Sequence, residues 1–187
     1  MRACDLESAA ACRHVAAHYA MKIGNHRRAN ELYKLACDRK DGSACNSLAY
    51  RTEHGIGADE DKLRAIKWYQ KGCDLDDATA CENLAGLYED GDGVSKDWIR
   101  AESYWKKACD LKDAQACARL GDKYASGADL IEDWTRANAA YQKGCDLEEP
   151  KACAELAASY ELGRGVPRDP ERARQVREAA NRPVAGK

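Results

Sequence analysis

The chain has 187 residues, of which 33% are charged, and its formal net charge at pH 7 is −2. This balance leaves no surplus of basic side chains to neutralise a phosphate backbone, so nucleic acid is not an expected partner. No apolar run approaches the roughly 18 residues that a transmembrane helix needs, so no membrane span is expected.

Ten cysteines form five pairs, and in each pair the second cysteine follows the first by eight positions. Successive pairs are 33, 36, 36 and 36 residues apart. A fixed period of this length indicates stacked supersecondary units. The pairs are Cys4 and Cys12, Cys37 and Cys45, Cys73 and Cys81, Cys109 and Cys117, and Cys145 and Cys153.

The first helix of each unit is predicted just after the second cysteine of each pair. There a leucine, a small residue and a tyrosine recur, as in Leu84, Ala85 and Tyr88. Spacings of three and four put these residues on one helical stripe, with the small residue where another helix packs closely. The pattern predicts first helices over roughly 8–21, 43–54, 79–90, 115–126 and 151–162.

A second helix is predicted between each glycine-containing stretch, such as "EDGDGVSKD", and the next cysteine pair. The glycines end the first helix and an Asp caps the second. In the fourth copy Asp129 replaces the second glycine. An Arg-Ala dipeptide recurs in these helices, and we expect its Arg, as at Arg100, to pair with the capping residue three positions earlier. An aromatic residue follows each Ala by four positions, at Tyr33, Tyr69, Trp105 and Tyr141.

A single helix pair buries too little apolar surface, so the pairs are expected to stack. The prediction is an all-α, right-handed α-solenoid that forms a single repeat domain over 1–187. Residues 1–6 are interpreted as the tail of a truncated upstream repeat. Arg177 and Asn181 replace the aromatic residue and the cysteine in the last helix, as is typical of a C-terminal cap. The helix pairs are expected at about 7–41, 42–77, 78–113, 114–149 and 150–182.

The full pattern, A-x-x-L-[AG]-x-x-Y-x-x-G-x-G-V-x-x-D-x-x-[RK]-A-x-x-x-[YW]-x-K-[AG]-C-D-L, resembles the Sel1-like repeat, a relative of the tetratricopeptide repeat. With a C-x7-C pair at every junction it is similar to the Helicobacter cysteine-rich proteins. The resemblance covers nearly the whole chain. It departs at Thr52, where the family has an aromatic residue, and in the first repeat, which is three residues short.

The cysteines allow three interpretations. Free buried thiols would not need strict pairing, and zinc would need four converging ligands. Disulfides need only an even count and a short reach, which a helix end and the next helix start provide. We therefore expect the bridges 4–12, 37–45, 73–81, 109–117 and 145–153. Persistent bridges imply an oxidising compartment, either periplasmic or secreted, or the mitochondrial intermembrane space if the source is eukaryotic.

No catalytic site, metal or cofactor is expected. The resembled family has penicillin binding and weak β-lactamase activity attributed to it, and "SYWK" from Ser103 to Lys106 matches the S-x-x-K motif. No S-D-N or K-T-G accompanies it, and Ser103 falls inside a predicted helix. His14 and His18 are four apart on one helix face, but no third ligand is evident.

Binding is therefore the favoured function. In tetratricopeptide-like solenoids the first helices line a concave groove, and this groove is the expected binding site. A monomeric scaffold holding a protein or peptide there is the leading hypothesis, and an acidic groove favours a basic peptide. The alternative is a penicillin-binding protein or weak β-lactamase-type hydrolase, and a redox or haem-carrying assembly role is third. The phase of the helices predicts the partner-binding residues Arg13, Asn46, Tyr50, Glu53, Glu82, Glu89, Asp122 and Glu161.

Overall fold

The computed structural model describes Cys4 and residues 8–127 and 132–180. These residues form ten α-helices, a π-helical segment (Tyr19–Ile23) directly after the first of them, and no strand. The first helices of the repeats are α1 (Ala9–His18), α3 (Gly42–Glu53), α5 (Ala78–Asp90), α7 (Ala114–Ser126) and α9 (Pro150–Leu162). The second helices are α2 (His26–Asp38), α4 (Lys62–Asp74), α6 (Trp98–Asp110), α8 (Trp134–Asp146) and α10 (Pro170–Ala180). The predicted all-α repeat fold is confirmed, and α3, α5, α7 and α9 lie within one residue of their predicted limits.

Short polar side chains start the helices, because the first backbone N–H groups of a helix have no partner within it. Asp61, for example, accepts a hydrogen bond from the backbone N–H of Arg64 at 2.8 Å. Pro170 follows the capping Asp169, where a missing N–H costs no helical hydrogen bond. The capping residues are Ser8, Asn25, Asp41, Asp61, Asp77, Asp97, Asp113, Asp133, Glu149 and Asp169.

A tight turn joins each second helix to the next first helix and brings two cysteines together. One non-glycine residue of each of four turns adopts a left-handed backbone conformation, with φ between 59° and 69°: Lys40, Asp76, Lys112 and Glu148. The paired Cα atoms lie 4.4 to 4.7 Å apart, within bridging distance. All five predicted disulfides are present: 4–12, 37–45, 73–81, 109–117 and 145–153.

The chain divides into two compact units, Met1–Tyr104 and Trp105–Lys187, with the boundary inside α6. In the first unit α1 packs on α2, α3 on α4 and α5, and α4 on α5. In the second unit α7 packs on α8 and α9, and α9 packs on α8 and α10. Each core is built from the recurring apolar stripe: Leu84 and Tyr69 are fully buried in the first unit, and Leu156 and Tyr141 in the second.

In the loops that contain two glycines, the second packs against the start of the preceding second helix. A Cβ on Gly57 would lie 2.7 Å from the carbonyl carbon of His26, and one on Gly165 would lie 2.6 Å from that of Trp134. Both glycines also have positive φ, so the close approach and the backbone conformation each require glycine. Asp129, Asn181 and all of residues 1–6 except Cys4 lie outside the described residues.

Candidate partner-binding surface

The first helices of the first unit present one continuous polar surface, made by the outward-facing residues of α3 and α5. Asn83 of α5 donates a hydrogen bond from its Nδ2 to the Oδ1 of Asn46 on α3, at 3.0 Å. This bond fixes the two helices side by side. We call this the α3/α5 surface: Asn46, Tyr50, Glu53 and His54 from α3, with Glu82, Asn83, Gly86 and Glu89 from α5.

Tyr50 is the exposed aromatic residue of this surface. Half of the residue is open to solvent, and its ring stacks on the His54 ring with centroids 4.2 Å apart. Glu82 and Glu89 are half-buried on α5, whose charged residues are all acidic. An aromatic ring therefore lies on the same surface as the acidic side chains of α5.

Glu53 lies on the α3/α5 surface and also forms a hydrogen bond with the second helix of its repeat. Its Oε2 accepts a hydrogen bond from the hydroxyl of Tyr69 on α4 at 2.7 Å. Burial and this carboxylate raise the pKa of Tyr69 above its ordinary value. The negative charge of Glu53 is thus held in place by a buried residue of the second helix.

The second unit uses its acidic residues in the same way. The hydroxyl of Tyr141 donates to Oδ1 of Asp122 at 2.9 Å, and Lys151 pairs with the other carboxylate oxygen. Arg177 pairs with Glu161 and lowers the pKa of that carboxyl below its usual range. Because Glu161 and Arg177 stand three repeats after Glu53 and Tyr69, an ion pair replaces the tyrosine hydrogen bond in the last helix.

The predicted binding residues therefore fall into two groups. Arg13, which donates to the N-cap Asp41 at 3.0 Å, joins Glu53, Asp122 and Glu161 as residues whose side chains link helices of their own unit. Asn46, Tyr50, Glu82 and Glu89 lie together on the α3/α5 surface.

Two residues of this surface were missed by sequence reasoning: His54 and Asn83. Asn83 is one position beyond the predicted helical phase, and His54 ends α3. The helical phase does indicate Gly86 as a groove-facing small residue, because it stands where other repeats have Tyr50, Asp122 and Ala158.

The recurring Arg of the second helices is a structural residue. Arg100 pairs with Asp97 at 3.3 Å and lies over the Tyr88 ring, with its guanidinium carbon 5.4 Å from the centroid. Arg136 pairs with Asp133 at 2.8 Å. The predicted pairing is confirmed at these two positions. Arg28, whose capping residue carries no charge, pairs instead with Glu31 at 2.6 Å.

No constellation of catalytic groups is found in the described part of the chain. The Ser103 hydroxyl donates to the carbonyl of Arg100 in its own helix at 2.7 Å, on an exposed surface. His14 and His18 are exposed, and the described residues contain no group of three or more His, Cys, Asp or Glu placed to hold a metal. Nor does any helix among them combine the length and apolar character needed to cross a bilayer.

The Sel1 repeat family matches the chain in five consecutive segments: 9–41, 42–77, 78–113, 114–147 and 150–175. The chain belongs to the Sel1 repeat family. It is similar in structure to a Sel1 repeat protein from Oxalobacter formigenes, with a TM-score of 0.79. The two sequences are 29% identical over a match that covers 94% of this chain and 73% of that chain.

Helicobacter pylori cysteine rich protein B is 28% identical over 74% of this chain and 99% of its own, with a TM-score of 0.58. The protective antigen c5321 of uropathogenic Escherichia coli shares the fold, at 22% identity and a TM-score of 0.82. That match covers 92% of this chain but only 38% of the antigen. No curated protein sequence matches the chain.

Proposed function

We propose that this Sel1 repeat protein is a non-enzymatic scaffold that binds a protein or peptide on the α3/α5 surface. The observation that carries the proposal is the half-exposed ring of Tyr50 on a surface whose α5 charges are all acidic. Exposed aromatic residues are enriched at protein interfaces, and complementary charge steers a partner to them. A basic segment of a partner is therefore the expected ligand.

We place this scaffold in an oxidising compartment as a monomer. The protein has five disulfides, and nine of their ten cysteines are at most 5% exposed. Such bridges persist only where thiols are not continually reduced. The periplasm or the extracellular space is the proposed location, and the mitochondrial intermembrane space is its counterpart if the source is eukaryotic. Light scattering on the purified, non-reduced protein tests the oligomeric state.

Charge reversal on the α3/α5 surface tests the binding role. The double variant Glu82→Lys/Glu89→Lys should change the free energy of unfolding by about 0.5 kcal/mol per site or less, as is usual for surface substitutions. Its binding to the native partner, captured from the source organism and then purified, should weaken by about tenfold or more and lose salt dependence. Surface plasmon resonance at two salt concentrations measures both effects.

The matched control is Glu171→Lys/Glu178→Lys on the exposed face of α10, which alters the net charge by the same amount. Binding should be unchanged in this variant. If both double variants bind the partner as the wild type does, the α3/α5 surface is not the binding site.

A further inference from the structure

Gly86 has no packing reason to be glycine. A Cβ built on it meets no atom within 4 Å, although Gly86 lies in the interior of α5 with an ordinary helical backbone. The other interior helical glycines are required: a Cβ would lie 2.8 Å from Ala80 at Gly72, 2.5 Å from Tyr141 at Gly121 and 2.7 Å from Ala152 at Gly144. Glycine destabilises a helix interior relative to alanine. Helix stability and packing therefore do not explain why residue 86 is a glycine.

Tyr50 occupies the equivalent position of the neighbouring first helix, one repeat earlier. The hydrogen bond between Asn46 and Asn83 joins α3 and α5 one turn before Tyr50 and Gly86. The surface of α5 is therefore open at Gly86, one turn after this hydrogen bond and on the helix next to Tyr50. His54 packs on the ring, and half of Tyr50 remains exposed. The result is a notch with an aromatic wall, which we call the Tyr50–Gly86 notch.

The two asparagines give the notch a second recognition element. Their mutual hydrogen bond uses one Nδ2 hydrogen of Asn83 and the Oδ1 of Asn46. The Nδ2 of Asn46 remains a donor and the Oδ1 of Asn83 remains an acceptor for a third group. A donor and an acceptor side by side complement the C=O and N–H of a peptide group.

The charge of the surface selects the side chain that the notch accepts. Glu82 and Glu89 flank Gly86 on α5, which has no basic residue, and the carboxylate of Glu53 is fixed by Tyr69. A cation over the face of a tyrosine ring is attracted by the ring quadrupole, and a negative field strengthens that attraction. An apolar side chain gains nothing from the carboxylates.

We infer that the Tyr50–Gly86 notch binds an extended segment of the partner polypeptide, with an arginine or lysine side chain over Tyr50 and a peptide group on Asn46 and Asn83. This inference rests on the proposed function and adds the chemistry of the segment that is recognised. It assigns to Gly86 the role of keeping the notch open.

Tripeptide probes test the charge requirement directly. We would titrate the ¹⁵N-labelled full chain with Ac-Ala-Arg-Ala-NH₂ and with its neutral isostere, Ac-Ala-citrulline-Ala-NH₂. The arginine peptide should shift the Gly86 backbone amide and the side-chain amides of Asn46 and Asn83. Its dissociation constant should be about threefold to fivefold lower than that of the citrulline peptide, the effect expected of a solvent-exposed cation–π contact. Ac-Ala-Leu-Ala-NH₂ should bind more weakly than the arginine peptide.

Gly86→Ala separates binding from folding. Alanine meets no atom at this position, so the variant should unfold at a higher temperature than the wild type while losing the arginine effect. Thr79→Ala is the matched control, because it also raises helix propensity at an exposed position of α5 but lies away from the notch. Tyr50→Ala should lose the arginine effect as well.

Equal binding of the arginine and citrulline peptides, preference for the leucine peptide, or wild-type binding by Gly86→Ala would each overturn the inference. If that happens while partner binding remains sensitive to Glu82→Lys/Glu89→Lys, the proposed function stands and only the notch is wrong. Partner binding that is insensitive to every one of these changes overturns the proposed function itself.

Discussion

Arg39 contacts both halves of the first disulfide: its Nη1 lies 3.2 Å from the sulfur of Cys12 and donates to the carbonyl oxygen of Cys4 at 2.7 Å. The equivalent position of the next three junctions holds a leucine: Leu75, Leu111 and Leu147. A guanidinium beside a sulfur stabilises the thiolate that forms when the bridge opens, and a more stable thiolate leaves faster in thiol–disulfide exchange.

We predict that the Cys4–Cys12 bridge is the first to be reduced. Under limiting dithiothreitol, one thiolate of the reductant attacks the Cys4 sulfur and Cys12 leaves as the thiolate beside Arg39. The second thiol of the reductant then attacks the mixed disulfide, closes the oxidised reductant and releases Cys4 as a thiolate. Arg39→Leu should slow this step by about threefold or more, because the charge that stabilises the leaving thiolate is lost. Timed alkylation followed by peptide mapping measures the rate for each bridge.

The converse variant provides the control. Leu147 bears the same relation to the Cys109–Cys117 bridge, one repeat earlier, as Arg39 bears to Cys4–Cys12. Leu147→Arg introduces the same cation there and should accelerate reduction of the Cys109–Cys117 bridge. Unchanged rates in both variants would show that Arg39 has no influence on the reactivity of the disulfide.

The period of the sequence was sufficient to predict the helices and the disulfides. The cysteine pairs and the Leu-small-Tyr stripe recur in phase, so each repeat confirms the assignment of the others. Three residues separate α6 from α7, and three also separate α2 from α3, α4 from α5 and α8 from α9. So short a turn has few possible geometries. Repetition thus made local structure predictable without knowledge of tertiary contacts.

Side-chain partners on the candidate surface were not predictable in this way. Helical phase indicates the direction of Glu53 and Asp122 but not that tyrosine hydroxyls of the second helices, Tyr69 and Tyr141, reach them. Those contacts depend on how far apart two helices lie and how each side chain is oriented. Variation from repeat to repeat therefore marked both binding candidates and residues that hold the fold.

Two buried polar atoms of the second unit, the hydroxyl of Ser159 and the Oδ1 of Asn138, allow a test of what a missing hydrogen bond costs. Within the described residues, neither the Ser159 hydroxyl nor the Oδ1 of Asn138 has a hydrogen-bond partner, and both atoms are buried. The equivalent residues of the first unit, Arg51 and Asn30, form a hydrogen bond of 2.5 Å. Ser159→Ala removes one buried hydroxyl and should stabilise the protein by about 1 kcal/mol.

Urea denaturation measures this gain, and Ser47→Ala is the control. The Ser47 hydroxyl donates to the carbonyl of Ser43 at 2.9 Å, so both substitutions gain helix propensity but only Ser159→Ala removes an unsatisfied group. An equal change in the two variants would mean that the Ser159 hydroxyl carries no penalty in solution.

The hydrogen bond from Tyr69 to Glu53 predicts a loss of stability at alkaline pH. Burial, and then the hydrogen bond to Glu53, raise the pKa of Tyr69 above its ordinary value of 10.0. The folded state holds this proton more tightly than the unfolded state. The contribution to stability is therefore fully present below about pH 10 and is lost as the pH rises further.

Unfolding in urea between about pH 9 and 11.5 should show this decline, and Tyr69→Phe should reduce its slope by one proton. The variant should also cost about 1 kcal/mol at neutral pH, where the hydrogen bond is intact. Tyr160→Phe, at a partly exposed position of α9 that does not contribute to the raised pKa of Tyr69, should change neither quantity. A slope that is the same in Tyr69→Phe and the wild type would contradict the assignment.

Lys112 adopts a left-handed backbone conformation, with φ of 69°, inside the loop that the Cys109–Cys117 bridge closes. A residue with a Cβ is strained in this region and glycine is not, whereas the exposed lysine side chain leaves little packing to lose. Lys112→Gly should therefore raise the free energy of unfolding by about 0.5–1 kcal/mol, measured by urea denaturation with the bridges intact. Lys112→Ala retains the Cβ and should bring no such gain. If alanine stabilises the protein as much as glycine does, relief of backbone strain is not the cause.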